Sequence, residues 1–188
     1  MKKATSTEAE ILRAARFAAD KHRDQRRKGV EASPYINHPI VVAEILTNVG
    51  GVTHLETIQA ALLHDTIEDT GTTASELVEQ FGDEVASLVM ELTDDKSLEK
   101  AERKRLQVEH TQHLSANAKR IKMSDKISNV TDIMNVPPEG WDDARRLTYF
   151  DWAKEVVEGC RDASDQLSKR FDEIVATARE AVTGRPGN

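Results

Sequence analysis

The stretch from residue 60 to residue 69, Ala-Ala-Leu-Leu-His-Asp-Thr-Ile-Glu-Asp, concentrates side chains that bind metals or move protons. Its first four residues are apolar all round, which is typical of a buried helix. If that helix continues through the stretch, His64 lies one turn before Glu68, and Asp65 lies one turn before Asp69. Burying so much charge is costly unless the groups are paired or bind a cation. The stretch therefore predicts a metal site with carboxylates beside it.

A structural role is the competing interpretation of the same residues. A lone histidine on an apolar helix is more often a hydrogen-bonded core residue than a metal ligand, because structural partners also perturb such groups. One imidazole grouped with three carboxylates favours the metal site, but a metal needs ligands from elsewhere in the chain.

Two further polar residues are hard to explain as surface residues. His38 lies between Asn37 and Pro39 at a predicted helix start, behind the apolar Tyr35-Ile36, and Asp125 lies within segment 121–129, with Asn129 one turn further on. With His64 and Asp65 they form a set of two histidines and two aspartates, which suits manganese, iron or zinc. Alternatively, His38 caps its helix and Asp125 pairs with a neighbouring lysine, Lys122 or Lys126. Spacing alone leaves both interpretations open.

Composition narrows the class of protein. The chain has 188 residues, of which 38% are hydrophobic and 31% charged, and this is ordinary for one enzyme-sized domain. Its net charge of -7 argues against general binding to nucleic acids or anionic membranes. The single cysteine, Cys160, excludes an internal disulfide framework and is expected to be a buried structural thiol. We find no signal peptide or membrane-length apolar segment, and expect a cytoplasmic protein.

Helical periodicity extends along almost the whole sequence. Capping boxes are predicted at Thr7–Glu10, Thr53–Glu56 and Thr73–Glu76. No useful β-alternation, internal repeat or long linker is present. We therefore predict an all-α, irregular multi-helix bundle forming a single domain over residues 1–188, with its core at about 7–180. Helices are expected at about 7–22, 39–46, 53–69, 73–81, 83–92, 98–112, 115–134, 142–160 and 164–182.

The order of these motifs resembles a known family. His38, His64-Asp65 and Asp125 match the ligand pattern of the HD-domain metal-dependent phosphohydrolases. The resemblance is closest to the Rel/Spo-type hydrolase domain, in its small stand-alone form, the alarmone hydrolases of bacteria and animals. It covers roughly residues 7–180. It is carried by Tyr-Ile-Asn-His-Pro at 35–39, the stretch 60–69, Thr-Asp-Asp-Lys at 93–96, Glu-Arg-Lys-Arg-Leu-Gln at 102–107 and Pro-Glu-Gly-Trp at 138–141.

The resemblance implies an activity and a set of site residues. The expected reaction is hydrolysis of the 3′-diphosphate of guanosine tetra- or pentaphosphate (ppGpp or pppGpp), which releases pyrophosphate and GDP or GTP. It implies one divalent metal, usually manganese, and catalytic roles for Glu68 and Asp69. The implied metal ligands are His38, His64, Asp65 and Asp125. The residues implied to line the nucleotide pocket are Arg27, Lys28, Tyr35, Asn129 and Tyr149.

Basic residues that could bind so charged a substrate stand out in the acidic chain. One cluster is Arg26-Arg27-Lys28, and the other lies within segment 96–105. Lys100, Arg103 and Lys104 have the spacing of neighbours on one helix face, and we expect them to bind the distal phosphates. In the competing interpretation this helix is solvated and its lysines form weak pairs with neighbouring glutamates. Lys96 and Arg105 are expected to belong to the solvated surface.

Three other functions remain open from the sequence. The same site could remove the 2′-phosphate of NADPH, an activity that the animal members of this family also show. It could also be a broader HD-type nucleotidase that acts at a 5′-phosphate. A non-catalytic nucleotide sensor is the third, but such a protein has no need of both Glu68 and Asp69. The sequence does not predict an oligomeric state.

Overall fold

The computed structural model describes residues 6–29 and 31–184, and every regular element in these ranges is a helix. The predicted all-α architecture is therefore confirmed. Residues 1–5, 30 and 185–188 of the predicted single domain lie outside the described ranges. The helices are α1 Thr7–Lys21, α2 Asn37–Asn48, α3 Leu55–Leu63, α4 Thr66–Asp69, α5 Ala74–Phe81, α6 Asp83–Leu92, α7 Lys100–Thr111, α8 Ala116–Asn135, α9 Asp143–Glu158 and α10 Asp165–Thr183, with a 3-10 turn at Arg161–Ala163.

Helix starts follow the predicted caps in part. The prediction at Thr73 is confirmed, because its side chain accepts a hydrogen bond from the Glu76 amide at 3.2 Å. The α1 cap is Ser6 rather than Thr7, one residue earlier than predicted. The capping box predicted at Thr53–Glu56 is wrong. There the N-cap residue is His54, which makes no side-chain capping bond.

Two hydrophobic clusters form the core, and α8 contributes to both. The first joins α1, α2, α3, α5 and α6 to the beginning of α8, and contains the fully buried Leu46, Leu63 and Leu77. The second joins the rest of α8 to α9 and α10, around Phe150 and Phe171. Because α8 lies between the clusters, even its polar side chains in the middle are buried. This position places α8 against α2 and α3, where the site is built.

The helix predicted to run through residues 60–69 is interrupted, which corrects the sequence interpretation. α3 ends at Leu63, and Asp65 has φ −97° and ψ −2° before the single turn of α4 begins. The Thr66 hydroxyl donates to the freed Leu63 carbonyl at 2.6 Å. The Asp69 amide still bonds to the Asp65 carbonyl at 2.8 Å, so these two residues remain one turn apart. The break means that His64 and Glu68 do not share a continuous helix face.

Within the described ranges, no helix has both the length and the apolar character required to cross a bilayer.

Candidate active site

Four predicted metal ligands come together from three helical elements. His38 lies in the first turn of α2, His64 and Asp65 lie at the break after α3, and Asp125 lies in the middle of α8. Nε2 of His38 is 3.7 Å from Oδ2 of Asp65 and 3.2 Å from Oδ1 of Asp125. Nε2 of His64 is 3.1 Å and 4.0 Å from the same two oxygens. Ligand atoms of His38, His64 and Asp65 all lie within 4.8 Å of one another.

The other nitrogen of each imidazole is held by a neighbour. Nδ1 of His64 donates to the Ala61 carbonyl at 2.8 Å, and Nδ1 of His38 lies 3.1 Å from the Ser128 hydroxyl. Such partners orient a metal-binding histidine and leave Nε2 as the ligand atom. Nε2 of His64 is buried and has no hydrogen-bond partner among the described residues. An unpartnered buried nitrogen facing carboxylates is what a cation site requires, so the residues fit a divalent metal.

The charges of the cluster are strongly coupled. Burial alone would lower the pKa of His64, but the adjacent Asp65 carboxylate outweighs it and raises that pKa to about 9. For His38, burial prevails over Asp125 and the pKa is lowered. Burial would raise the pKa of Asp125, but Lys126 and His38 hold it well below its usual range. A cation bound here would therefore replace a proton on His64.

Both aspartates receive further hydrogen bonds from residues predicted to line the nucleotide pocket. The Tyr35 hydroxyl donates to Oδ2 of Asp65 at 2.5 Å, and the Asn129 amide donates to Oδ1 of Asp125 at 2.5 Å. Lys126 also donates to Oδ2 of Asp125 at 3.0 Å. The two alternative environments considered for Asp125, the histidine cluster and the lysine pair, thus exist together.

Glu68 contacts α7 and the loop before it. Its Oε2 accepts a hydrogen bond from the Asp94 amide at 3.3 Å, and its Oε1 is 3.9 Å from Nη1 of Arg103. Burial, followed by the nearby Asp94 and Asp65 carboxylates, raises the pKa of Glu68. Glu68 therefore holds a proton more readily than an ordinary glutamate.

Asp69 has a different environment. Its Oδ1 forms an ion pair with Lys96, and its Oδ2 accepts a hydrogen bond from the Gln25 amide at 2.8 Å. Lys96 is exposed, as predicted, but it is not only a surface residue, since it pairs with Asp69 and lines the cleft described below. The assignment of Arg105 to the surface is confirmed, because it pairs with glutamates of its own helix.

A cleft of about 1040 Å³ opens beside these carboxylates, which is large enough for a nucleotide. Among the described residues, its wall contains eight lysines or arginines and six aspartates or glutamates, although the whole chain carries a net charge of -7. The cleft is therefore locally cationic. All eight predicted substrate-binding residues line it, namely Arg27, Lys28, Tyr35, Lys100, Arg103, Lys104, Asn129 and Tyr149.

One part of the wall consists of the loop after α1. The Arg27 guanidinium donates to Oδ1 of Asn129 at 2.8 Å and to Oδ2 of Asp132 at 2.7 Å. It also lies 5.5 Å from the centroid of the Tyr35 ring. The neighbouring Lys28 is exposed. Arg27 is thus a fixed, planar cation, whereas Lys28 is able to move toward a ligand.

Another part of the wall combines cations with aromatic rings. Nζ of Lys104 lies 4.4 Å from the Trp152 ring centroid, and the Arg145 guanidinium lies 4.7 Å from the Trp141 ring centroid. Burial and then the nearby positive charges, that of Lys100 foremost, lower the pKa of Lys104. Cations brought this close without intervening carboxylates are typical of a phosphate-binding surface.

Sequence reasoning missed several residues of the cleft. For Trp141 and Asp94 a signal was present, because each belongs to a motif that resembles the family. For Gln25, Arg145 and Trp152 no periodicity or spacing distinguishes them from ordinary helix-end and surface residues. Their position in the cleft follows from the packing of α1, α7 and α9.

Comparison with known proteins agrees with this geometry. The HD-domain family matches residues 14–154. A guanosine-3′,5′-bis(diphosphate) 3′-pyrophosphohydrolase, MESH1, of Xenopus tropicalis is 51% identical over 170 residues, covering 90% of this chain and 95% of that protein. The MESH1 of Homo sapiens is 53% identical, covering 90% of this chain and 94% of that protein.

Solved structures show the same similarity. A metazoan orthologue of SpoT, described as hydrolysing ppGpp, superposes with a TM-score of 0.88 at 44% identity and covers 93% of this chain and 98% of that one. The protein lmo0812 of Listeria monocytogenes superposes with a TM-score of 0.64 at 25% identity, covering 78% of this chain and 98% of that one. The resemblance found in the sequence motifs is thereby confirmed. The chain belongs to the HD-domain family, in the group of the MESH1 proteins.

Proposed function

We propose that this protein hydrolyses the 3′-diphosphate of ppGpp and pppGpp, releasing pyrophosphate and GDP or GTP. One observation carries the proposal: a buried cluster of two histidines and two aspartates lies beside a cationic cleft of nucleotide size. The relatives named for this reaction match nearly the whole chain, which supports the same chemistry here.

We further infer that the metal is Mn²⁺, held by His38, His64, Asp65 and Asp125. The donors are imidazole nitrogens and carboxylate oxygens without a thiolate, and this mixture suits manganese better than magnesium. When bound, such a cation polarises a phosphoryl oxygen and lowers the pKa of a water molecule.

The protein's own residues would handle the protons. In the reaction the oxygen of water becomes bonded to the phosphorus next to the ribose, and the bond from that phosphorus to O3′ breaks. The departing O3′ must gain a proton, and the attacking water must lose one. Glu68, whose pKa is raised, is suited to donate the proton to O3′. Asp69, which accepts hydrogen bonds from Lys96 and Gln25, is suited to act as a carboxylate toward the water.

Substrate binding would divide between the two parts of the cleft wall. Lys100, Arg103 and Lys104 would bind the distal phosphates, since charge-assisted bonds to phosphate are strong. Arg27 and Tyr149 would contact the nucleoside, and a guanidinium held flat by two hydrogen bonds is able to stack on a purine.

Removal of the 2′-phosphate of NADPH is the second candidate. The reacting bond is of the same kind, from phosphorus to a secondary ribose oxygen. The breadth of the cleft offers room for a second base, and its adjoining aromatic rings, Trp141, Tyr149 and Trp152, offer a surface on which that base could stack.

A turnover panel tests these functions. Protein stripped of metal and reloaded with Mn²⁺ is offered ppGpp, NADPH and a 5′-nucleoside monophosphate, and the products are identified by mass spectrometry. We expect the highest kcat/KM for ppGpp, with GDP and pyrophosphate as products. Preferred turnover of NADPH would assign the second candidate, and no turnover of any of the three would overturn the enzymatic proposal.

We also infer that the chain acts as one domain in the cytoplasm. α8 belongs to both hydrophobic clusters, so the two halves share one core. Cys160 is buried, and burial raises its pKa to about 12, which is consistent with an inert thiol in a reducing compartment.

A further inference from the structure

His22 is a buried histidine that lies outside the candidate metal cluster. It follows the last residue of α1 and is only 2% exposed. Its Nδ1 lies 2.6 Å from Oε1 of Gln25, while its Nε2 is buried without a hydrogen-bond partner in the described part of the chain. Its ring stacks on that of Tyr35, with the centroids 4.8 Å apart and the planes 30° from parallel.

Gln25 connects this imidazole to a candidate catalytic carboxylate. The Gln25 amide nitrogen donates to Oδ2 of Asp69 at 2.8 Å. Because a carboxylate only accepts, the amide nitrogen must face Asp69 and the amide oxygen must face His22. Nδ1 of His22 therefore carries the hydrogen and donates it to Gln25. The bonds run in one direction, from His22 through Gln25 to Asp69.

The ring of His22 reaches the metal cluster by a second route. Tyr35, on which it stacks, donates its hydroxyl hydrogen to Oδ2 of Asp65 at 2.5 Å. The buried imidazole of His22 thus contacts Gln25, which holds the candidate catalytic residue Asp69. It also contacts Tyr35, which holds the candidate metal ligand Asp65. An ordinary core histidine needs neither connection.

We propose that His22 is a positioning residue that fixes Asp69 through Gln25 and supports Asp65 through Tyr35. This inference rests on the proposed function, because it assigns Asp69 a part in the reaction. Without the His22 donor the Gln25 amide is free to rotate, and among the described side chains Asp69 then keeps the partly exposed Lys96 as its fixed partner. Misplacement of a catalytic group lowers the rate of the chemical step more than it lowers substrate affinity.

Three variants separate the parts of this arrangement. His22→Phe keeps a ring over Tyr35 but removes the donor, and Gln25→Met keeps chain length but removes the amide. His22→Asn places an amide nitrogen near the position of Nδ1. His54→Phe is the control: Nδ1 of His54 also bonds to a side chain three residues later, that of Thr57 at 2.9 Å, but His54 is exposed and lies outside the cleft.

Steady-state kinetics with the Mn²⁺-loaded protein give the first result. We expect His22→Phe and Gln25→Met each to lower kcat about tenfold, with KM and bound manganese unchanged. The double variant should be no slower than the slower single variant, since both break one chain of bonds. His22→Asn should recover most of the rate. Equal loss of kcat in His54→Phe, or unchanged kcat in His22→Phe, would overturn the proposal.

A second readout needs neither metal nor turnover. The side-chain amide protons of Gln25 are followed by ¹H–¹⁵N NMR in the metal-free protein. We expect them to shift in His22→Phe and in Asp69→Asn but not in His54→Phe. Unchanged Gln25 signals in His22→Phe contradict the chain of bonds, whatever the enzyme hydrolyses. Failure of the wild-type protein to hydrolyse ppGpp would contradict only the proposed function.

Discussion

The Tyr35 hydroxyl and the His64 imidazole meet at one oxygen, Oδ2 of Asp65. The hydroxyl donates to it at 2.5 Å, and Nε2 of His64 lies 3.1 Å from it. Burial and the Asp65 charge raise the pKa of Tyr35, so the hydroxyl remains a donor at any ordinary pH. Tyr35 therefore restricts the orientation of a carboxylate that would bind the metal.

Tyr35→Phe should weaken metal binding while the ring that stacks on His22 is retained. Loss of a partner that orients a metal ligand commonly costs 10- to 100-fold in affinity, and we expect a loss of about tenfold. Calorimetric titration of the metal-free protein with Mn²⁺ measures it. Tyr149→Phe removes a hydroxyl from the same cleft and serves as the comparison. Equal Mn²⁺ affinity in Tyr35→Phe and wild type would show that the hydroxyl does not orient Asp65.

Metal binding should release a proton at neutral pH. In the metal-free protein the pKa of His64 is raised to about 9, so the imidazole is protonated at pH 7 and must lose its proton to bind a cation. Mn²⁺ affinity should therefore rise with pH and level off above about 9. Titrations at pH 7 in buffers of different ionisation enthalpy count the protons released. A count near zero at pH 7 would mean that His64 is already neutral or is not a ligand.

Glu68→Gln and Asp69→Asn should separate binding from chemistry. Both keep the shape of the side chain but remove the ionisable group, and we expect kcat to fall roughly 10²- to 10⁴-fold with bound metal unchanged. Manganese content by atomic absorption and kcat for ppGpp are the two measurements. If both variants turn over ppGpp at the wild-type rate, Glu68 and Asp69 have a structural role and take no part in the reaction.

Glu68→Gln should also stabilise the metal-free protein in a pH-dependent way. The pKa of Glu68 is higher in the folded than in the unfolded state, so its contribution favours folding at low pH and is lost as pH rises through the folded pKa. The variant cannot ionise and should therefore melt at a higher temperature than wild type at pH 7. The difference in melting temperature between the variant and the wild type should become smaller toward pH 4. A constant difference at both pH values would argue against a raised pKa.

Lys100→Ala/Arg103→Ala/Lys104→Ala should raise KM for ppGpp and make KM less dependent on salt. These cations line the cleft, and exposed charge–phosphate contacts are screened by added ions. Arg105→Ala on the same helix is the matched control, since the partners of Arg105 in the described part of the chain are Glu102 and Glu109 of its own helix. If KM of the triple variant equals that of the wild type at about 50 mM and at about 500 mM salt, these three residues do not bind the substrate phosphates.

The residues that sequence reasoning found are those whose type conflicts with their surroundings. His38 follows the apolar Tyr35-Ile36, Asp125 lies on a helix that also carries Ile121 and Ile127, and the structure brings both to His64 and Asp65. The helix break at Asp65 was not predictable, because a change of backbone angles at one residue leaves the hydrophobic periodicity intact. After the break, Glu68 accepts a hydrogen bond from the Asp94 amide.

Contacts between residues far apart in the chain are not found from local periodicity, although Lys96 belongs to the motif at 93–96 that resembles the family. Lys96 pairs with Asp69, 27 positions away, and Gln25 reaches the same carboxylate across 44 positions. The sequence around Lys96 is typical of a solvated turn, and the sequence around Gln25 is typical of the end of a helix. Only the packing of α1 and the loop after α6 around α4 gives these side chains a place in the site.

Hydrolysis of ppGpp in H₂¹⁸O tests the central claim most directly, because the label reports which bond breaks. The Mn²⁺-loaded protein should place ¹⁸O in pyrophosphate and none in GDP, and chelated protein or Asp65→Ala should give no product. Label in GDP, release of orthophosphate in place of pyrophosphate, or full turnover after chelation would contradict metal-assisted attack at the phosphorus next to the ribose.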